Sequence, residues 1–482
     1  MTTVDRRSFL LGTGAALGAA LLTSCSSSGS GGPGGPSGGA GQLRWQDHFS
    51  ALQDFHADWA QQQSQALGVP VSYTYNDVSR STEALQLAKQ SDQLPDVYSN
   101  VLGLPLAALV AGGWLHELPL SEEALARLPE GSFTEGITSL DGVIYGLPLF
   151  TWQQYAAASW FNVDMVTAAD LDPDDPPRTY DQFRDALERV GRNQDGGSPM
   201  ILALGGVDRM GEQINDYAQA AGFPGFEGLE YRTGEYRFED DTYVNAIEFW
   251  KELNDSGLIL PGSGGLTVAD ARSRWGAGAA AYFPDGPWCA GGVRNVAAGF
   301  EEKIGVGPIL VPEGGGQVTT YRGAPAAQFF VAATTADAEA AVAIIESMTT
   351  PEYQQGLASG MDQPPLDLSV VQDADVVPPY ATLAGWFAET VKRMPQAVVA
   401  NPEIARVDAA TTPVSPDLGD IVQGYLGGDI TDLRGALVKL SGDYRAVREQ
   451  ALESATAEGA EVSLDDYAFP DWTPGTDYTY AT

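Results

Sequence analysis

Apolar and polar residues alternate along Val69–Tyr75, the period of a half-buried strand. Just before it, Gln42–Asp47 reads as a short strand. Between the two, Leu52, Phe55, His56 and Trp59 recur at helical spacing. Ser50, with Gln53 three residues on, predicts a capping box at the start of that helix. Strand, helix, strand in this order predicts a βαβ unit, and so a parallel sheet. The alternation then continues. A helix is expected near Thr82, and Pro95 leads into the apolar Val97-Tyr98. Strands are expected over Val143–Leu149, Ala279–Phe283, Ile304–Leu310 and Gln328–Ala332. Thr179 with Gln182, Thr242, and Thr350 with Pro351 read as helix starts. The last long helix runs from about Asp432 to Ser454, with Leu433, Leu437, Leu440, Tyr444 and Val447 on one face. The fold class expected is α/β.

The N-terminus breaks this pattern. Arg6 and Arg7 precede an apolar run that Gly12, Gly14 and Gly18 interrupt, which reads as a twin-arginine export signal rather than a spanning helix. Leu22-Thr23-Ser24-Cys25 looks like a bacterial lipobox, with Cys25 as the lipidated first residue. Ser26 to Gly41 is almost entirely Ser, Gly and Pro, a tether with a reach of roughly 20–25 Å. Residues 1–24 are therefore expected to be signal, and 25–41 lipidated cysteine and tether. The expected location is extracytoplasmic, anchored to the cell membrane through lipid.

Charge and chemistry narrow the function. The net charge of −38 speaks against nucleic acid, whose phosphates need a basic surface. Cys289 is the one cysteine besides Cys25, so no intramolecular disulfide is expected. With 3 histidines and no HExxH or CxxC spacing, a metal site is not expected. Asp172, Asp174 and Asp175 lack the glycine and distal glutamate of a calcium loop. Gly314-Gly315-Gly316 lacks the Lys-Ser/Thr of a phosphate loop, and no GxSxG elbow occurs. Neither cofactor nor catalysis is expected.

The order of segments resembles the maltose-binding-protein-like, family 1 solute-binding proteins of ABC importers. Leu94-Pro95-Asp96-Val97-Tyr98 is similar to that family's "PDV" strand end, and Ala111-Gly112-Gly113-Trp114-Leu115 to the turn after its next helix. Tyr145-Gly146-Leu147-Pro148 with Trp160-Phe161-Asn162 resembles its "YGLP…YN" crossover, and Pro176-Pro177-Arg178-Thr179-Tyr180 its "PPxTW" helix entry. Gly278-Ala279-Ala280-Ala281-Tyr282 with Gly286-Pro287-Trp288 resembles "GxAAM…GPW", and Thr350-Pro351-Glu352-Tyr353-Gln354 resembles "TxExQ". The resemblance implies two lobes with a ligand cleft between them. One lobe would hold 42–149 plus 312–366, the other 150–311 plus 367–455, followed by an aromatic tail at 456–482. It implies a monomer that binds carbohydrate by hinge closure and delivers it to an ABC permease. The alternatives are a secreted glycosidase or lyase, or the same fold with a polyol, glycerophosphodiester, peptide or polyamine ligand.

Candidate ligand contacts follow from position. Trp45, Asp47, His48, Tyr98 and Asn100 lie at or just after expected strand ends, where open α/β sheets bind ligands. Gly286-Pro287 is a turn that delivers Trp288, whose flat apolar face suits a pyranose. Asp285, Gln153 and Gln363 are the expected partners of the sugar's polar rim. Pro148–Asn162 is longer than the family pattern by a few residues, adding Trp152, Gln153, Gln154 and Tyr155, of which Trp152 and Tyr155 join Gln153 as candidates. The family's second cleft tryptophan has no match around Pro413–Leu418, and Trp386 is its spatial candidate.

Overall fold

The protein is described here from a computed structural model over residues 41–100, 104–193, 197–314 and 318–480. The twin-arginine segment, Cys25 and all of the tether except Gly41 lie outside the described residues.

Two sheets organise the chain. In the first, Leu43–Asp47 pairs in parallel with Val71–Tyr75 on one side and Val97–Ser99 on the other. The helix Gln53–Leu67 makes the crossover between the first two strands. Its face carrying His56 and Trp59 is buried, as the spacing requires. The capping box expected at Ser50 does not form: Ser50–Leu52 turns as a 3₁₀ segment, and the helix starts at Gln53 without a side-chain cap. Phe329–Ala332, from far along the chain, lies antiparallel to Val97–Ser99 and also takes up Leu115–His116 and Gly146–Leu147. The sheet is therefore parallel only where βαβ units build it.

The strand expected over Val143–Leu149 is divided. Val143–Ile144 pairs with Ser139–Leu140, whereas Gly146–Leu147 pairs with Phe329–Ala332. The break falls where the backbone meets the neighbouring strand closely. A Cβ on Gly146 would lie 2.3 Å from the Ala327 Cβ and 2.7 Å from Phe330 Cε1, so only glycine fits.

The second sheet runs Ile304–Gly307, Ala158–Asn162, Ala280–Asp285, Ser198–Met200 in spatial order. Several of its helices start where short polar side chains cap them. Thr179 accepts from the Gln182 N–H at 3.3 Å and opens Tyr180–Arg192. Asp432 opens Leu433–Ala457. Thr242 is not a start: Asp240 caps the helix Asp241–Asp255. One helix, Val207–Ala220, is not anticipated from the sequence; most of its side chains are buried, polar ones such as Gln213, Asn215, Asp216 and Gln219 included.

Each sheet has its own apolar core, one around Trp45, Val97, Phe329 and Ile344, the other around Trp160, Phe183, Trp250 and Tyr282. The chain passes between them at 148–157, through 308–314 and 318–328, and again after the helix Pro351–Ser359. The first and third passages run side by side and antiparallel. Thr151 N–H donates to Pro364 O at 2.9 Å, and Leu366 N–H to Leu149 O at 3.0 Å. The aromatic tail packs on the protein through Phe469 and Trp472, which cluster with Tyr231 and Tyr321.

Candidate functional site

The carboxyl ends of strands from both sheets face one cleft. From the first sheet come His48, Phe49, Tyr75 and Asp77. The second lobe brings Arg209, Arg272 and Trp288, and the third passage brings Asp362 and Gln363. This chamber encloses about 350 Å³. A second chamber of about 190 Å³ is lined by Trp152, Gln154, Tyr155, Glu212, Arg322 and Gln328. Trp288 and Gln363 line both chambers, so they stand where the two meet.

The strand Ala280–Asp285 and the turn after it set Trp288 in place. The ring is half-buried, and its Nε1–H donates to Asp285 Oδ1 at 2.7 Å. A Cβ on Gly286 would lie 2.2 Å from Trp288 Cζ2, 2.5 Å from Cε2 and 2.6 Å from Cη2. Near-equal distances to an atom and both its ring neighbours put that Cβ above the ring plane, not off its edge. One face of the indole therefore rests on the Gly286 backbone. The other faces the Arg209 guanidinium, 4.1 Å from the ring centroid.

Asp285 supports this arrangement and does not itself meet the cleft. It is 1% exposed. Its carboxylate accepts from Trp288, from the Gly286 N–H at 2.9 Å and from Arg272 Nη2 at 2.7 Å. The expectation that it binds a sugar rim is corrected: its oxygens are already engaged, and they position Trp288 and Arg272.

The first-sheet candidates divide in the same way. Trp45 and Tyr98 are fully buried in the cores on the two sides of the sheet, so neither offers a ring to the cleft. Tyr98 donates instead to Trp114 O at 3.1 Å. Asp47 is buried as well, and it accepts from Tyr73 OH at 2.9 Å and pairs with His56 Nδ1 at 2.7 Å. His56 Nε2 in turn meets Tyr353 OH at 2.8 Å. Strand alternation turns these side chains inward while the next residue, His48, turns to the cleft. Its Nδ1 lies 2.7 Å from Ser99 Oγ. Burial lowers the His48 pKa to about 4, against the pull of Asp47 and Asp77. Asn100 donates to Ala327 O at 3.1 Å and does not line the cleft.

In the longer passage, Trp152 and Tyr155 line the second chamber, but Tyr155 is nearly all buried and packs edge-on against Phe387. The amide that faces the chamber is Gln154, not Gln153. Gln154 Nε2 donates to Gln363 Oε1 at 2.7 Å, while Gln153 points away toward Ala388 O. Trp386 is half-buried against the second core and lines neither chamber.

Sequence reasoning missed the charged lining. Arg209 and Glu212 sit on the unanticipated helix Val207–Ala220 and form an ion pair. Arg322 pairs with the fully buried Asp216 of the same helix. Asp362 is buried, which pushes its carboxyl up to about 6 despite the nearby Arg272 and the Gln363 N–H. The available signal was a polar stripe, Arg209, Glu212, Gln213, Asp216 and Gln219, at helical spacing. Among the described residues no group of three His, Cys, Asp or Glu side chains stands ready to hold a metal. No helix among them is long and apolar enough to cross a membrane.

The whole arrangement is similar to solved solute-binding proteins. A chitin oligosaccharide binding protein superimposes with a TM-score of 0.63 at 18% identity, over 85% of this chain and 99% of that one. The GacH receptor of Streptomyces glaucescens, solved unliganded and with acarbose, gives 0.61 at 17%, over 85% and 98%. The Thermus thermophilus maltotriose binding protein, bound with maltotriose, gives 0.61 at 16%, over 84% and 99%. At these identities the likeness is one of fold, two lobes about a cleft. No curated protein matches the sequence. The family described as "Bacterial extracellular solute-binding protein" matches residues 57–382, well over half of the chain. The chain therefore belongs to the bacterial extracellular solute-binding proteins.

Proposed function

We propose that this chain captures an oligosaccharide in the cleft and delivers it to an ABC permease, from the outer face of a membrane to which lipid on Cys25 tethers it. The observation that carries the reading is Trp288. It is an indole backed by glycine, held by Asp285, and placed where two chambers of about 350 and 190 Å³ meet. A sugar ring has an apolar face for such a surface and a polar rim for amides such as Gln154 and Gln363. The chitin oligosaccharide, acarbose and maltotriose named for the similar structures support the ligand class. Export by the twin-arginine route accords with the extracellular role of the family.

The test is a thermal-shift and calorimetric screen with maltotriose, acarbose and chitin oligosaccharides, followed by chromatography of each mixture. A ligand that binds only the folded form raises the melting temperature with its concentration. Saturable binding with the sugar recovered intact is the expected result. Product formation would establish the glycosidase or lyase alternative, and silence across the panel would remove the carbohydrate reading. Mass spectrometry of the mature N-terminus tests the anchor: an unmodified Cys25 in native membranes refutes it.

A further inference from the structure

We propose that Arg209 is a displaceable cap on the stacking face of Trp288, so that a sugar gains that face only by moving the guanidinium aside. This rests on the carbohydrate reading of the cleft. The indole has two faces. Gly286 takes one, closely enough that even a methyl group would overlap the ring. The Arg209 guanidinium takes the other at 4.1 Å, a cation–π contact. The ring nitrogen is committed to Asp285. A sugar and Arg209 thus compete for the one surface that the backbone leaves open.

The cap is held loosely enough to move. Arg209 lies in the first turn of the helix Val207–Ala220 and borders the larger chamber. Its ion pair is with Glu212, one turn along, whose own side chain is well exposed, and such pairs hold weakly. In the capping position the Arg209 Nε–H is buried without an acceptor. An unpaired buried donor opposes that position. The unpaired donor offsets part of the cation–π attraction, so a ligand that stacks on the indole can displace the arginine. Competition of this kind raises the apparent Kd by the inverse of the uncapped fraction. It also selects ligands: a solute too small or too polar to cover the indole cannot recover what the cation gives up.

The experiment compares the full chain with Arg209→Ala and Arg209→Lys by calorimetry against maltotriose, acarbose and chitin oligosaccharides. It adds acrylamide quenching of Trp288 fluorescence without sugar, isolated by subtracting Trp288→Phe. Removing the cap is expected to tighten saccharide binding about two- to thirtyfold, the range of a guanidinium–indole contact from exposed to desolvated. Lysine, a poorer stacker, gives a smaller gain. Quencher access to Trp288 is expected to rise in Arg209→Ala with no ligand present. Weaker binding in both variants would overturn the proposal by making Arg209 a direct ligand contact. Unchanged affinity, or unchanged quenching in a variant that melts with the parent, would overturn it too. If no saccharide binds any of the three proteins, the carbohydrate reading fails with it, and quenching then reports separately whether the cap itself exists.

Discussion

At the scale of single residues, position at a strand end does not decide a role; the side to which the residue points does. Asp47 and His48 are neighbours on the same strand end, yet one is sealed below the sheet and the other borders the cleft. Asp47→Ala is therefore expected to act on stability. It leaves His56 and the Tyr73 hydroxyl without their buried partner, at a cost of about 3–5 kcal/mol. Chemical denaturation measures this, and an unchanged midpoint together with weakened sugar binding would return Asp47 to the site. Trp288→Ala is the converse case. It is expected to lose about 1–3 kcal/mol of affinity, as stacked aromatic contacts do, about 5- to 150-fold in Kd by titration, with a small change in unliganded melting temperature. A collapse of unliganded stability would make Trp288 a core residue. Asp362 adds a pH dependence. Its folded value, about 6, lies above the free value, so the stability it contributes is fully present below about pH 3.8 and is lost as pH rises through 6. Asparagine does not titrate. Asp362→Asn should thus gain melting temperature on the parent as pH rises from about 4 to 6 and keep that lead above it, and a difference that stays flat across this range would show that burial does not perturb this carboxyl. His48 works the other way. Its contribution is present above about pH 6.5 and is lost as pH falls through about 4.

At the scale of elements, what the sequence makes legible is what alternates or caps. The opening βαβ unit, the caps at Thr179, Thr350 and Asp432, and the strand before Gly286-Pro287 could all be read because one face of each is apolar or one residue ends it. The helix Val207–Ala220 could not. Its polar stripe does not mark a solvent face: Gln213, Asn215, Asp216 and Gln219 are buried along with Met210, Ile214 and Tyr217. Gln213 Nε2 reaches Ala156 O at 3.1 Å and Pro284 O at 3.0 Å. Gln219 Oε1 accepts from Tyr321 N–H and Arg322 Nη1, both at 3.1 Å. Asp216 accepts from Ala156 N–H at 2.6 Å and pairs with Arg322. This helix fastens the first passage, the strand leading to Trp288 and the strand Thr320–Arg322 to one another, and it carries Arg209 and Glu212 into the cleft. Much of the site depended on it, which is why Trp288 was legible and its charged surroundings were not. Asp216→Ala leaves the Arg322 guanidinium buried without its carboxylate and Ala156 N–H without its acceptor. A loss of about 3–5 kcal/mol is expected in urea denaturation. A loss below about 1 kcal/mol would mean that the helix does not hold these segments together.

At the scale of the whole molecule, two separately cored lobes joined by a neck of three passages of chain imply motion about that neck. In this neck the first and third passages lie side by side, bonded by Thr151 to Pro364 and by Leu366 to Leu149. Cleft-lining side chains come from both lobes and from the neck itself, so a solute held there is expected to make its full set of contacts only when the lobes are together. An apolar contact outside the neck is expected to limit the swing. Ile404, Val407, Leu452 and Ala455 pack against Ala107, Ile137 and Leu140 of the first lobe, away from the cleft lining. An apolar patch of this kind shears more readily than it separates, since parting it would expose side chains now sealed from water. The lobes are therefore expected to rock about the neck with this patch as a sliding support, not to part widely. Small-angle scattering on the ligand-free protein and at saturation checks the motion. The radius of gyration should fall on binding, and Ile404→Ala, which loosens the support, should enlarge the ligand-free value while leaving the saturated one close to the parent. Equal radii with and without ligand would mean that the cleft binds without closing. An Ile404→Ala profile superimposable on the parent's in both conditions would mean that the patch does not limit the swing.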